Sequence, residues 1–183
     1  MLKKLALIAV TAAFLAGCGS TPDGGTAAQP EGKTDLSASR VKDYASLVEL
    51  RAESTAVVRG TVESSTKDKL NNLPVTISKV RVQKVLWGKV PSDVLAVQQV
   101  GDETMKLHDT GAILGKDREY VLFVKPFQLA PGKDTGRWLI TGDQGTFARS
   151  SDGATFEFAG AGNPPELPRT LRTTVVESGA LLN

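Results

Sequence analysis

The only histidine of the chain, His108, lies close to the acidic residues Asp102, Glu103 and Asp109. An imidazole beside carboxylates can bind a metal ion or act as a general acid or base. Zinc sites usually add further histidines or thiolates, and calcium loops place acids at alternating positions, a spacing that this segment lacks. We therefore expect a solvated loop without a metal ion. An envelope hydrolase or metal-dependent enzyme centred on His108 is kept as the alternative.

Other catalytic patterns are missing from the sequence. It contains no Gly-x-Ser-x-Gly turn of the kind that presents a nucleophilic serine. The glycine-bounded segment 111–115 lacks the Lys-Ser/Thr pair that completes a phosphate-binding loop. The sequence therefore predicts no catalytic residues, no cofactor and no enzymatic activity.

Cys18 is the only cysteine, and the residues before it are typical of an export signal. Met1-Leu2-Lys3-Lys4 is short and basic, and residues 5–16 are apolar or small. A run of this length is too short to cross about 30 Å of hydrocarbon as a stable helix. The pattern predicts a signal peptide over residues 1–17.

The last signal-peptide residues and the cysteine, Leu15-Ala16-Gly17-Cys18, resemble the lipobox of bacterial lipoproteins. The resemblance implies cleavage before Cys18, a diacylglyceryl group on its sulfur and fatty acyl chains such as palmitate. Two or more acyl chains bind a bilayer far more firmly than one. The expected location is a cell membrane, facing away from the cytoplasm. In bacteria with two membranes, Gly19 in place of the usual Asp retention signal favours the outer membrane.

Charge and cysteine content exclude several kinds of partner. The chain has 22 basic and 20 acidic residues, and cleavage removes Lys3 and Lys4, so the mature side chains sum to zero. A neutral chain with interspersed signs lacks the basic patch needed to bind nucleic acid. Acylation of Cys18 would leave no thiol for a disulfide or a thiolate metal site.

Composition divides the chain into four segments. Residues 1–17 are the signal peptide, and 18–38 are the lipidated cysteine and a flexible tether of small and polar residues. Residues 39–160 are predicted to form one β domain, followed by a proline-containing tail over 161–183. The apolar stripe of Val41, Tyr44, Leu47 and Val48 predicts one helix over residues 39–54 with Ser39 as its N-cap.

After residue 55 the apolar period changes from that of a helix to that of a strand. Residues 119–125 are apolar at both parities, which predicts a central strand covered on both faces. The long segment 75–87 changes phase twice, which predicts β-bulges. We interpret residues 67–74 as a polar loop, and residues 170–176 fit either a strand or a helix. The remaining predicted strands are 56–63, 93–100, 138–141, 145–149 and 155–158.

Three apolar patterns carry a resemblance to a known barrel: residues 57–62, 80–88 and 120–124. They are similar to uncharacterised bacterial surface proteins with an OB-type barrel, which in turn resembles the netrin-like module of tissue inhibitors of metalloproteinases. Short strands with a long bulged member, one helix and no βαβ alternation predict a mainly β fold, either a small antiparallel barrel or a sandwich. The resemblance implies the barrel, OB-like with one N-terminal packing helix. Those inhibitors act through a free N-terminal cysteine, and acylated Cys18 could not do so.

Trp87 at a strand end and Trp138 in a short strand are the candidate ligand or partner face, because tryptophans often anchor interfaces. Packing in the core or at its rim is the competing interpretation. Together these features predict a surface lipoprotein with a non-catalytic binding or scaffold domain. Its partners would be the membrane, through Cys18, and a protein or envelope ligand.

Overall fold

The structure is a computed structural model that describes residues 35–37, 42–102, 105–108, 111–162 and 166–182. All of them belong to one compact unit, Lys33–Asn183. The predicted signal peptide, Cys18 and most of the predicted tether lie outside the described residues. In the part that is described, no helix combines the length and apolar character needed to cross a membrane.

The described residues form mainly strands, which confirms the mainly β prediction. Among the described residues there are two short α-helices and two single 3₁₀ turns, Thr141–Asp143 and Ala180–Leu182. In chain order the elements are β1 Asp35–Ser37, α1 Leu47–Ala52, β2 Ala56–Leu70, β3 Leu73–Gly88, β4 Val94–Val100, β5 Lys106–His108, β6 Glu119–Ala130, β7 Lys133–Ile140, β8 Thr146–Arg149, β9 Thr155–Phe158, β10 Thr170–Arg172 and α2 Thr173–Ser178.

Eight strands form one sheet in the order β10-β9-β8-β6-β2-β3-β4-β7, and β7 also pairs with β6. The additional pairing closes five strands, β2, β3, β4, β7 and β6, into a ring. Within the ring β4 and β7 are parallel, and the other four pairs are antiparallel. Strands β8, β9 and β10 extend the sheet outward from β6. Apart from this sheet, β1 pairs in parallel with β5, so Asp35–Ser37 at the end of the predicted tether is a strand.

Two apolar layers share strand β6. Tyr120, Leu122 and Val124 belong to a cluster built from all five ring strands. Val121 and Phe123 belong to a second cluster, on the other face, with residues from both helices and from β8, β9 and β10. The prediction of a central strand covered on both faces is therefore confirmed.

The phase changes in β3 correspond to irregular pairing with β2. Val57 pairs with Trp87 but Val58 with Val85, and Arg59 pairs with Lys84 but Gly60 with Val82, so β3 has an extra residue at each step. A third shift lies between Val62 and Ser64. The bulge prediction is confirmed. Such bulges increase the bend and twist of a strand.

The prediction of a polar loop over residues 67–74 is wrong. Strands β2 and β3 continue through it as a hairpin whose turn is Asn71-Asn72, at φ 49° and 66°. Left-handed φ at both turn residues is what a tight two-residue hairpin requires, and asparagine tolerates it. On β2, residues 65–69 are all exposed, so the apolar alternation that would have revealed a strand is missing.

The helix predicted over residues 39–54 is also wrong in its extent. Ser39 lies outside the described residues, and α1 begins only at Leu47, with Ser46 as N-cap. The Ser46 hydroxyl accepts the N–H of Glu49 at 3.1 Å, and the Glu49 carboxylate accepts the N–H of Ala45 at 2.9 Å. This reciprocal pattern resembles a capping box and starts the helix there.

The segment predicted as a C-terminal tail belongs to the same compact unit as the β domain. Residues 170–176, for which a strand and a helix were both considered, contain parts of both. Strand β10 ends at Arg172, and helix α2 begins at the next residue, Thr173. Leu167, Leu171 and Val176 are buried in the second cluster. The described part of this segment is therefore packed against the sheet.

One ion pair joins α2 to β2, and a network extends from it to β6 and β8. Glu119 on β6 contacts Arg59 of β2 at 3.2 Å and Arg149 of β8 at 2.6 Å, and Arg59 also contacts Glu177 of α2 at 3.3 Å. The hydrogen bond to Glu119 raises the pKa of Arg149. These contacts help to position α2 along the outer face of the sheet.

Candidate functional site

A cavity of about 400 Å³ lies beside the ends of the parallel strands β4 and β7. Lys125 of β6 pairs with Leu139 of β7, and Leu139 pairs with Gln98 of β4, so these three residues form one row across the sheet. Paired residues project from the same face of a sheet. The cavity is lined by this row together with Lys42, Tyr44, Glu53, Gln99, Val100, Ile140, Gly142 and Asp143.

Tyr44 is held at the cavity by the turn that follows β7. The Tyr44 backbone N–H donates to Oε1 of the buried Gln144 side chain at 3.0 Å. Nε2 of the same Gln144 side chain donates to the Asp43 carboxylate at 2.8 Å. Gly142 has a φ of 59°, and a Cβ there would lie 2.3 Å from the Tyr44 ring. The glycine thus permits both the left-handed turn and the close approach of the ring. Burial raises the pKa of Tyr44.

Gln98 is a polar side chain in a strongly buried position, with only 4% of its surface exposed. Its Oε1 accepts a hydrogen bond from Arg137 at 2.7 Å, and Arg137 also donates to Asp68 at 2.9 Å. Because a guanidinium only donates, this contact fixes which end of the amide faces Arg137. No side-chain partner for the Nε2 donor of Gln98 occurs among the described residues.

The charged residues at the cavity differ in how they are paired. Lys42 contacts Glu49 at 2.9 Å and Glu53 at 3.1 Å, and these two contacts raise the pKa of Lys42. The pKa of Glu49 is lowered, chiefly by the hydrogen bond from the Ala45 N–H and then by Lys42. Lys125 has no ion pair and no side-chain hydrogen bond within the described ranges. The cavity therefore offers one unpaired cation, Lys125, beside a cluster in which two carboxylates share the ammonium of Lys42.

The two tryptophans predicted as a ligand face lie in different layers. Trp138 is 7% exposed and belongs to the cluster shared by the ring strands. Trp87 packs at the edge of the second cluster, where the Arg51 guanidinium lies 5.9 Å from the centre of its ring system. The structure therefore does not bring the two indole rings together on one surface.

His108 ends strand β5, and Asp102 contacts Lys67 at 3.6 Å. Glu103 and Asp109 lie outside the described residues. Where the structure describes side chains, no group of three or more His, Cys, Asp or Glu residues is arranged to hold a metal ion. Lipid attachment at Cys18 also falls outside the described residues and stays a prediction.

The residues of the cavity gave only a weak signal in the sequence. Gln98-Gln99 is a polar pair inside an otherwise apolar strand, and both side chains are buried. Gln99 holds the neighbouring segment, donating to the Ala112 carbonyl at 3.0 Å and accepting the Leu114 N–H at 2.9 Å. A buried polar pair of this kind indicates a specific role for each amide.

Comparison with protein-family models found no match, and no curated protein matches the chain significantly. The chemistry of the cavity therefore has to be inferred from its own geometry. Its unpaired groups are hydrogen-bond donors beside apolar walls, an arrangement suited to holding a small ligand in one orientation.

Proposed function

We propose that this protein is a membrane-anchored surface lipoprotein whose mature domain, a small OB-like barrel, binds a ligand without catalysing a reaction. The observation that carries the proposal is the cavity beside Gln98 and Lys125, where donors without partners among the described residues line a concave site. Polar groups of this kind within apolar walls are typical of binding sites.

The order of the ring strands supports the OB-like interpretation. Around the ring, the strands are ordered β2-β3-β4-β7-β6. The single parallel pair is β4–β7, which are the third and the fifth of the five ring strands in chain order. OB folds are five-stranded Greek-key barrels that bind ligands on one face and through the loops beside it. The bulges in β3 support closure as well, since small barrels need such bends.

The anchor is supported by the sequence Leu15-Ala16-Gly17-Cys18 at the end of an apolar run. Acyl chains on Cys18 would keep the domain at a membrane surface outside the cytoplasm. A domain held there would meet components of the cell envelope, so the expected ligand is an envelope protein or a smaller envelope component.

Replacement of Cys18 with Ser should abolish palmitate labelling and release the protein from membranes, because a hydroxyl is not lipidated in place of the thiolate. Metabolic labelling and fractionation measure both effects. Ser20→Ala, two residues away, is the matched control and should stay labelled and membrane-bound. Retention of the Cys18→Ser protein in membranes would contradict the anchor.

Site-specific photocrosslinking on intact cells tests the binding function. A photoreactive residue at Lys42, on the rim of the cavity, should capture a defined envelope component, whereas one at the exposed Ser151, in the β8–β9 turn beyond the Glu119 end of β6, should not. Mass spectrometry identifies the adduct. Equal labelling from both positions, or no adduct from position 42, would argue against a ligand in the cavity.

A further inference from the structure

The side chains that line the cavity point to the chemical class of its ligand, an inference that rests on the proposed binding function. Gln98 is the most constrained of them. Its oxygen is occupied by Arg137, so the group left for a ligand is the Nε2 donor. With no partner among the described residues, this donor is open to solvent in the cavity, where an acceptor on a ligand can replace water. The site thus favours a ligand that supplies an acceptor.

Two further donors line the same cavity. Lys125 lies in the same cross-strand row as Gln98, and its ammonium has no counterion among the described residues. The hydroxyl of Tyr44 has no hydrogen-bond partner within the described ranges. An ammonium, an amide N–H and a phenol therefore call for acceptor oxygens, of which at least one carries negative charge.

The acidic residues of the cavity are already engaged. Glu53 contacts Lys42 at 3.1 Å, and Asp143 has interaction partners of its own. A cationic ligand would therefore have to displace existing contacts and would approach the unpaired Lys125. At Lys125 itself, the charge favours an anion.

We infer that the cavity binds a monovalent organic carboxylate, with its oxygens on Lys125, Gln98 and Tyr44 and its apolar part against the apolar wall. That wall consists of Val100, Leu139 and Ile140. One unpaired ammonium matches one negative charge, whereas a phosphate carries nearly two and is usually bound by several cations or by a guanidinium. A carboxylate has two oxygens that can share these donors.

Titration of the full-length, lipidated protein in detergent with hexanoate tests the inference, with hexanamide and inorganic phosphate as comparison probes. Hexanamide has a similar shape but no charge. Isothermal calorimetry should show hexanoate binding about tenfold or more tightly than either comparison compound, since a charged hydrogen bond is lost in hexanamide.

Variants at Lys125 identify the site. Lys125→Met keeps an apolar stem and should weaken hexanoate binding about tenfold or more, whereas Lys125→Arg should retain most of it. Lys133→Met is the matched control, because Lys133 is an exposed lysine of the same hairpin that does not line the cavity. Thermal denaturation verifies that each variant is folded.

Two results would overturn the carboxylate assignment: hexanamide binding as tightly as hexanoate, or Lys125→Met and Lys133→Met weakening hexanoate equally. If crosslinking from position 42 still captures an envelope component, the binding function stands and only the ligand class is wrong. If neither crosslinking nor titration detects a ligand, both proposals fail.

Discussion

At the scale of single residues, Gly142 and Tyr44 decide the shape of the candidate cavity. Replacement of Gly142 with Ala should destabilise the protein and displace the Tyr44 ring. Gly132 is the control, because it has a similar left-handed φ of 77°. At Gly132, no atom lies within 4 Å of the position that an alanine Cβ would occupy. At Gly142, the Tyr44 ring lies 2.3 Å from that position. Both alanine variants bear the cost of left-handed backbone, about 1–2 kcal/mol.

The difference between these two variants measures the collision with Tyr44. We expect Gly142→Ala to cost about 1–3 kcal/mol more than Gly132→Ala, the usual range for overpacking. Urea denaturation of both proteins gives the two free energies of unfolding. Equal losses would show that the Tyr44 ring is not held over residue 142.

Also at this scale, the candidate site was largely beyond prediction from the sequence. Gln98 and Lys125 are 27 residues apart in the chain, and they become neighbours only through Leu139, which pairs with both. A lysine at the exposed end of an apolar strand looks like an ordinary solvated charge. Its position beside a buried amide depends on register between strands, and no local pattern encodes that register.

At the scale of elements, the β8–β9 hairpin contains a carboxylate that makes its stability depend on pH. Asp152 accepts hydrogen bonds from the Ser150 hydroxyl at 2.6 Å and the Ala154 N–H at 2.9 Å, and these lower its pKa below the ordinary 3.8. A lowered folded-state pKa contributes stability above pH 3.8. That contribution disappears as the pH falls through the folded-state pKa.

Asp152→Asn should therefore be less stable than the wild type near pH 7, and the difference should shrink as the pH falls below about 3.8. Urea midpoints measured across this range detect the trend. Ser151→Ala, in the same turn, should differ from the wild type by a constant amount. A pH-independent difference for Asp152→Asn would contradict the role assigned to its carboxylate.

Elements with strong local patterns were predicted well. Residues 155–158 form β9 as expected, and β6 has the two buried faces that its continuous apolar run indicates. The start of α1 was predicted wrongly because an apolar stripe continues before Leu47. Tyr44 on that stripe is held instead by the side chain of Gln144, 100 residues later in the chain.

At the scale of the whole molecule, the C-terminal segment completes the second apolar layer. Leu171 of β10 is 4% exposed within that layer. Leu171→Ala should cost about 2–5 kcal/mol, as is usual for a buried leucine. That is a large part of the roughly 5–15 kcal/mol typical of an entire domain.

Leu129→Ala is the matched control for this prediction, since Leu129 is 63% exposed at the end of β6. Its effect should stay within about 0.5 kcal/mol. Thermal and urea unfolding distinguish the two variants. Similar small effects for both would indicate that residues after 160 contribute little to the stability of the domain.

The sequence by itself determined the mainly β class and the strands with clear apolar alternation, and it carries the lipobox-like motif from which a signal peptide and a neutral mature chain are predicted. The tertiary structure alone decided the closure of five strands through the β6–β7 pairing, the separation of Trp87 from Trp138, and the meeting of Gln98 with Lys125. The reason is physical. Alternation and composition reflect the burial of each residue, whereas the cavity depends on register between strands that are distant in the chain.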